Sequence, residues 1–129
     1  EKEEPTSIAG VKTLTFRDDS PELPQTDEWA RTRAARSICV EALRGKLTDA
    51  GFTVQEKADG ADAEFHAVMN FRWGNEVEVS CSIRITSLPG GHSLFSFVGS
   101  RTNKLATACN GVAGEAVNKL LRSKSEQKK

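Results

Sequence analysis

At 129 residues, with 37% hydrophobic and 28% charged side chains, the chain has enough apolar surface for one core and enough charge to keep its exterior wet. Lys plus Arg and Asp plus Glu each number 18, so the formal net charge is zero and no overall field draws the chain to nucleic acid or to an anionic membrane. Three cysteines without a C-x-x-C spacing suggest neither a disulfide scaffold nor a zinc site, and apolar runs such as Ala67-Val68-Met69 fall far short of the ~20 residues of a membrane span.

Glu1 to Ser7 (E-K-E-E-P-T-S) is charged and Pro-bearing and reads as a flexible tether. Ser123 to Lys129 is wholly polar and reads as a disordered tail, which leaves residues 8–122 for a single domain. The first residue is Glu rather than Met, so an upstream start with any targeting segment is expected. Val11 to Phe16 alternates at period two as a first strand, ended by Arg17-Asp18-Asp19-Ser20-Pro21. Thr26 or Asp27 is the expected N-cap of a long helix whose inner face carries Thr32, Ala35, Cys39, Ala42, Leu43, Leu47 and Ala50. Gly51 closes that helix and Phe52 to Gln55 resumes a short strand, so the first two strands should run parallel through a crossover.

Ala63 to Trp73 alternates with Phe65, Ala67, Met69, Phe71 and Trp73 on one side and Glu64, His66, Asn70 and Arg72 on the other, with Val68 as an apolar interruption of the wet side. After Gly74-Asn75 the pattern repeats: Val77, Val79, Cys81, Ile83 and Ile85 face in, and Glu78, Ser80, Ser82, Arg84 and Thr86 face out. Leu88-Pro89-Gly90-Gly91 makes a tight turn with glycine supplying positive φ, and Leu94 to Val98 is the last strand. A final helix starts near Thr102-Asn103 and turns Leu105, Cys109, Val112, Ala113, Ala116 and Leu120 inward, with Gly111 and Gly114 permitting a close approach to a neighbouring element. The fold class is α+β, a single mixed β-sheet with two helices packed on one face in the order β-α-β-β-β-β-α.

Few residue groups invite chemistry. Cys81 lies on the apolar side of its strand and His66 on the polar side of the preceding one, so the pair cannot act as nucleophile and base, and Cys81 reads as a packing residue. His92 sits in a turn, out of reach of Cys81. Cys39 and Cys109 fall on buried helix faces, and are either two reduced packing thiols or, in an oxidising compartment, a disulfide. Asp18 and Asp19 follow the first strand, where α/β sheets place ligand groups, but no third ligand is evident and a solvated turn accounts for them. Leu88 to Gly91 lacks the helix and lysine of a phosphate loop. Arg31, Arg33, Arg36 and Arg44 share their helix with Glu28, Glu41 and Asp49, a mixed-charge face rather than a nucleic-acid stripe. What remains is a candidate interaction surface: the polar sheet positions His66, Val68, Asn70, Arg72, Glu78 and Arg84, with Trp29 and Trp73 as the aromatics nearest to loops. No cofactor or metal is called for.

The succession V-K-T-L-T-F (11–16), L-R-G-K-L-T-D-A-G-F-T-V (43–54), A-D-A-E-F-H-A-V-M-N-F (61–71), a hairpin and A-V-N-K-L-L (116–121) resembles small periplasmic lipoprotein domains of Gram-negative bacteria. These include the periplasmic domain of the curli-secretion channel, the lipoprotein activator of a penicillin-binding protein and the lipoprotein of Pel exopolysaccharide export. The likeness runs from Ile8 to Leu121, with a loop from Asp18 to Thr26 that sets this chain apart. It implies an upstream signal peptide and lipidated cysteine, a tether to the outer membrane through Glu1 to Ser7, a periplasmic location, and a non-catalytic role in binding an envelope or secretion partner or in forming a homo-oligomer. Two rival classes are a cytoplasmic nucleic-acid or small-ligand module, and an enzyme built on Asp18 and Asp19.

Overall fold

The computed structural model describes residues 5–127, so Glu1 to Glu4 of the expected tether and Lys128-Lys129 of the expected tail lie outside the described residues. The strands are β1 (Thr13–Asp18), β2 (Thr53–Gln55), β3 (Ala63–Trp73), β4 (Val77–Ser87) and β5 (Ser93–Asn103), and the helices are α1 (Ala30–Asp49) and α2 (Leu105–Gln127). They form one five-stranded sheet in the order β2-β1-β3-β4-β5. β1 lies parallel to both β2 and β3, whereas β3-β4 and β4-β5 are antiparallel, so the sheet is mixed and the expected order of elements holds.

Alternation in the sequence becomes layering in space. Phe65, Ala67, Met69, Val79, Cys81, Ile83 and Ile85 turn to the helix side and are buried, together with Leu14 and Phe16 of β1. Both helices press on that side: Ala35, Cys39, Leu43 and Leu47 of α1 and Cys109, Val112, Ala113, Ala116 and Leu120 of α2 join the same core. Each fully buried Leu, Ile or Phe contributes about 1.5–3 kcal/mol. No helix among the described residues is long and apolar enough to cross a membrane.

Local signals explain most element ends. α1 stops in a paired-bond C-cap in which Gly51 N–H donates to Thr48 O and Phe52 N–H to Leu47 O. Gly51 holds φ at 101°, which a side chain would resist. Phe52 is therefore the buried residue that seals the cap, and the strand begins one residue later than expected, at Thr53. Asp62 ties the lower edge of the sheet: its Oδ2 accepts the N–H of Lys12 at 2.8 Å and of Thr13 at 2.9 Å, and its backbone N–H donates to Thr13 O. The Ala-Asp dipeptide before β3 is thus a clasp on the start of β1. In the turn after β4 the Leu88-Pro89 bond is cis, and Gly91 carries the positive φ of 75°.

Five expectations are corrected. Neither Thr26 nor Asp27 caps α1: a short 3-10 turn, Asp27–Trp29, comes first, and the side chain of Thr26 makes no cap bond. The Thr26 carbonyl instead accepts from Trp29 N–H and Arg33 Nη1, which holds the chain in that turn. β5 does not end at Val98 but runs to Asn103, and α2 accordingly starts at Leu105 rather than near Thr102-Asn103. The polar stretch from Ser123 is helical as far as Gln127, because Lys124 packs its ammonium 4.6 Å from the Phe52 ring and donates to Val11 O at 2.7 Å. Gly111 does meet a neighbour, since a Cβ there would sit 3.4 Å from Arg101 Cγ, but one at Gly114 would meet nothing within 4 Å.

Candidate interaction surface

Because both helices occupy one side, the other side of β3, β4 and β5 is uncovered. The register orders it into rows across the three strands: His66, Arg84 and Ser96; Val68, Ser82 and Val98; Asn70, Ser80 and Ser100; Arg72, Glu78 and Thr102. Charges stand at both ends, and the second row is an apolar bar broken only by a serine. Val98 is 79% exposed, the most open large hydrophobic residue described.

His66 is held rather than free. Its Nδ1 lies 2.8 Å from Asp19 Oδ2, and its Nε2 lies 2.9 Å from Glu64 Oε1 and 3.3 Å from Thr86 Oγ1. Asp19 is fixed in turn by Arg17 Nε at 2.7 Å and by its own N–H, which donates to Ala67 O. A hydroxyl, an imidazole and a carboxylate in line resemble a nucleophile with its base and orienting acid. Here Glu64 lies nearer to Nε2 than the hydroxyl does, and Thr86 is only 8% exposed, so the cluster clamps a ring instead of activating an alcohol. Asp18 is spent on Ser20 N–H and on Arg36. No group of three His, Cys, Asp or Glu among the described residues is arranged to hold a metal.

Trp29 does not join this surface, and Trp73 only borders its end, where it lines a cleft with Arg72, Glu78 and Thr102. Trp73 belongs to the helix side of β3, where its Nε1 donates to Thr32 Oγ1 at 3.1 Å and the Arg31 guanidinium lies 3.8 Å from the ring centroid. Trp29 walls a cleft of about 120 Å³ with Leu23, Arg36 and Phe71, beyond the end of β1. Ligand pockets for drug-sized molecules run to roughly 300–1,000 Å³, so this one admits a side chain at most. The cleft on the open face, beside His66, Val68 and Arg84, is about 200 Å³ and likewise shallow.

Cys39 and Cys109 are joined as a disulfide that links α1 to α2, with Cα atoms 4.9 Å apart. Cys81 is the free thiol, and burial pushes its pKa from 9.0 up to about 12, which leaves it without thiolate character at neutral pH. Sequence reasoning missed Val98 and the clamp on His66. Continued alternation through Ser96, Val98, Ser100 and Thr102 was the available signal for the first; the second joins residues 47 positions apart and leaves no local trace.

No family model matches the chain, and no curated protein sequence matches it. Solved structures do share the fold. PelC from Paraburkholderia phytofirmans, crystallised as a dodecamer, aligns over 95% of this chain and 93% of its own at 18% identity and a TM-score of 0.51. Protein XCC0632 from Xanthomonas campestris aligns over 95% of this chain and 91% of its own at 12% identity and a TM-score of 0.61. The fold is thus the one that the sequence resemblance named.

Proposed function

We propose that this chain is a non-catalytic assembly domain of the bacterial cell envelope, working as a homo-oligomer or against an envelope or export partner. The observation that carries the reading is the uncovered three-strand face with its apolar bar Val68-Ser82-Val98, on a sheet whose outer strand β5 pairs only with β4 among the described residues. An antiparallel sheet tolerates one face in water, but an open edge together with an exposed valine invites another chain. The fold shared with PelC, a dodecamer, supports self-assembly. The Cys39–Cys109 disulfide supports an oxidising compartment such as the periplasm and speaks against a cytoplasmic module. A lipid anchor upstream of Glu1 belongs to the same reading and follows from the sequence resemblance. His66, Val68, Asn70, Arg72, Glu78 and Arg84 are the side chains proposed to meet the partner, with Trp73 at their border beside Arg72 and Glu78; Trp29, on the helix side, is left out.

Light scattering over a concentration series tests self-assembly. The expected result is a discrete multiple of 14.0 kDa. A strict monomer at every concentration refutes it.

A further inference from the structure

We infer that β5 is the pairing edge for a second copy of this chain, in an antiparallel register centred on Val98. The inference rests on the self-assembly reading above and assigns it a surface. Its first support is backbone direction. On β3, Met69 N–H donates to Ser20 and Ala67 C=O accepts from Asp19, so odd-numbered residues there point away from β4 and even-numbered ones toward it. Through the pairs His66↔Arg84 and Val68↔Ser82, the even residues of β4 face β3 and its odd residues face β5. Through Cys81↔Gly99 and Ile83↔Phe97, the odd residues of β5 face inward. The N–H and C=O groups of Ser96, Val98, Ser100 and Thr102 therefore point outward from the last strand of the sheet, and the group that satisfies such a row is another extended backbone.

The edge also lacks the usual protections. From Ser93 to Asn103 there is no proline and no lysine. Its one charge, Arg101, is on the helix side and bound to Glu115 at 3.2 Å, and the single register irregularity lies near the start of β5, opposite Ile85 and Thr86.

Self-complementarity selects a second copy over a foreign strand. A two-fold axis at Val98 sets the two Val98 side chains against each other, with Cα atoms about 5.5 Å apart in a hydrogen-bonded pair. Ser96 then faces Ser100, Phe97 faces Gly99 and Phe95 faces Arg101, so no like charges oppose. The Phe97 ring already lies over Gly99 of its own strand, leaving the helix side flat at that point. The axis also runs the two α2 helices antiparallel above the joint, which turns the Glu115 end of one toward the Lys119 end of the other; in each copy Glu115 bonds Arg101 and Lys119 lies 5.3 Å from the Phe97 ring. Three hydrogen-bonded residue pairs, from Ser96 to Ser100, exchange about six bonds and bury both Val98 side chains.

Cysteine cross-linking of the full chain, oxidised in air with its native disulfide intact, tests the register. Val98→Cys is expected to give a covalent dimer as the main species on a non-reducing gel. Ser96→Cys is expected to stay uncrosslinked alone and to link when mixed with Ser100→Cys. Val98→Lys, at a position open enough to leave folding unchanged, is expected to weaken self-association at least tenfold by light scattering. If Val98→Cys stays monomeric while the unmodified chain scatters as an oligomer, the edge assignment falls and assembly stands on another surface. If the unmodified chain is monomeric throughout, both fall, and a monomer whose β5 accepts an added strand peptide overturns the second copy in favour of a foreign one.

Discussion

Reducing the Cys39–Cys109 disulfide is the perturbation whose size follows most directly from the structure. The bond closes a loop of 70 residues between the middle of α1 and the first turns of α2. In the chain-entropy account that loop removes about 15 cal/mol/K from the unfolded ensemble, or about 4 kcal/mol at 25 °C. With a urea slope of ~2 kcal/mol/M, the midpoint should fall by about 2 M when the protein is unfolded in dithiothreitol instead of under non-reducing conditions. Reduction is a cleaner change than replacing both cysteines, because the sulfur atoms stay in the core. A thiol titration on the denatured protein accompanies it: one free thiol, from Cys81, before reduction and three after. Superimposable unfolding curves, or three thiols in the air-oxidised sample, would refute both the bond and the argument for an oxidising compartment that rests on it.

Three further outcomes are expected. Asp62→Ala removes the acceptor of two backbone N–H groups and should cost about 2–3 kcal/mol in urea unfolding, with Asp62→Asn recovering part of it, since an amide oxygen still accepts. Gly99→Ala and Gly114→Ala should move stability in opposite directions: a Cβ at Gly99 would lie 2.5 Å from the Cζ of the buried Phe97 and should cost about 1–3 kcal/mol, whereas one at Gly114 meets nothing and should gain up to about 1 kcal/mol of helix propensity. For Cys81, both states are protonated below pH 9; above it the unfolded thiol ionises while the folded one, with its pKa near 12, does not, so folding loses about 1.4 kcal/mol per pH unit from this group. Unfolding curves of the parent chain and of Cys81→Ala should therefore converge by that amount per unit between pH 9 and 12, and parallel pH profiles would contradict the burial assigned to the thiol.

The parts of the fold written in strict alternation were readable at residue level. β3 has the bounds that its sequence suggested, and β4 extends one residue past the alternating pattern: every second position from Ala63 is apolar, buried as far as Met69 and half-buried at Phe71 and Trp73, and every second position from Val77 to Ile85 is apolar and buried. β5 was half hidden: past Val98 its inward positions are Gly99 and Arg101, so no apolar partner keeps the rhythm, although the Arg101 stem fills that role by lying on Gly111. The end of α2 was hidden for a related reason, since Lys124 anchors a polar stretch through its long stem. On the proposed surface, the outward facing of His66, Asn70, Arg72, Glu78 and Arg84 was legible. The clamp that immobilises His66 was not, because Asp19 arrives from the loop after β1 and only the parallel β1-β3 pairing brings it there.

The arginines of α1 bear on where a partner can bind. In the sequence they stand out as positive charge on one helix, and four free guanidinium groups there would be a footing for phosphate. In the structure each is spent at home: Arg31 on the Trp73 ring, Arg33 on the Pro24 and Thr26 carbonyls, Arg36 on the Pro21 carbonyl and Asp18, and Arg44 over Phe16. A phosphate backbone would have to displace those contacts before gaining its own, and it would meet a chain of zero net charge. The open sheet asks for no such exchange. Its outward backbone groups on β5 face no other strand among the described residues, so an incoming strand replaces their hydrogen bonds to water with its own. The helix side therefore reads as the braced back of the domain, and the sheet face with its β5 edge as the side on which association costs least.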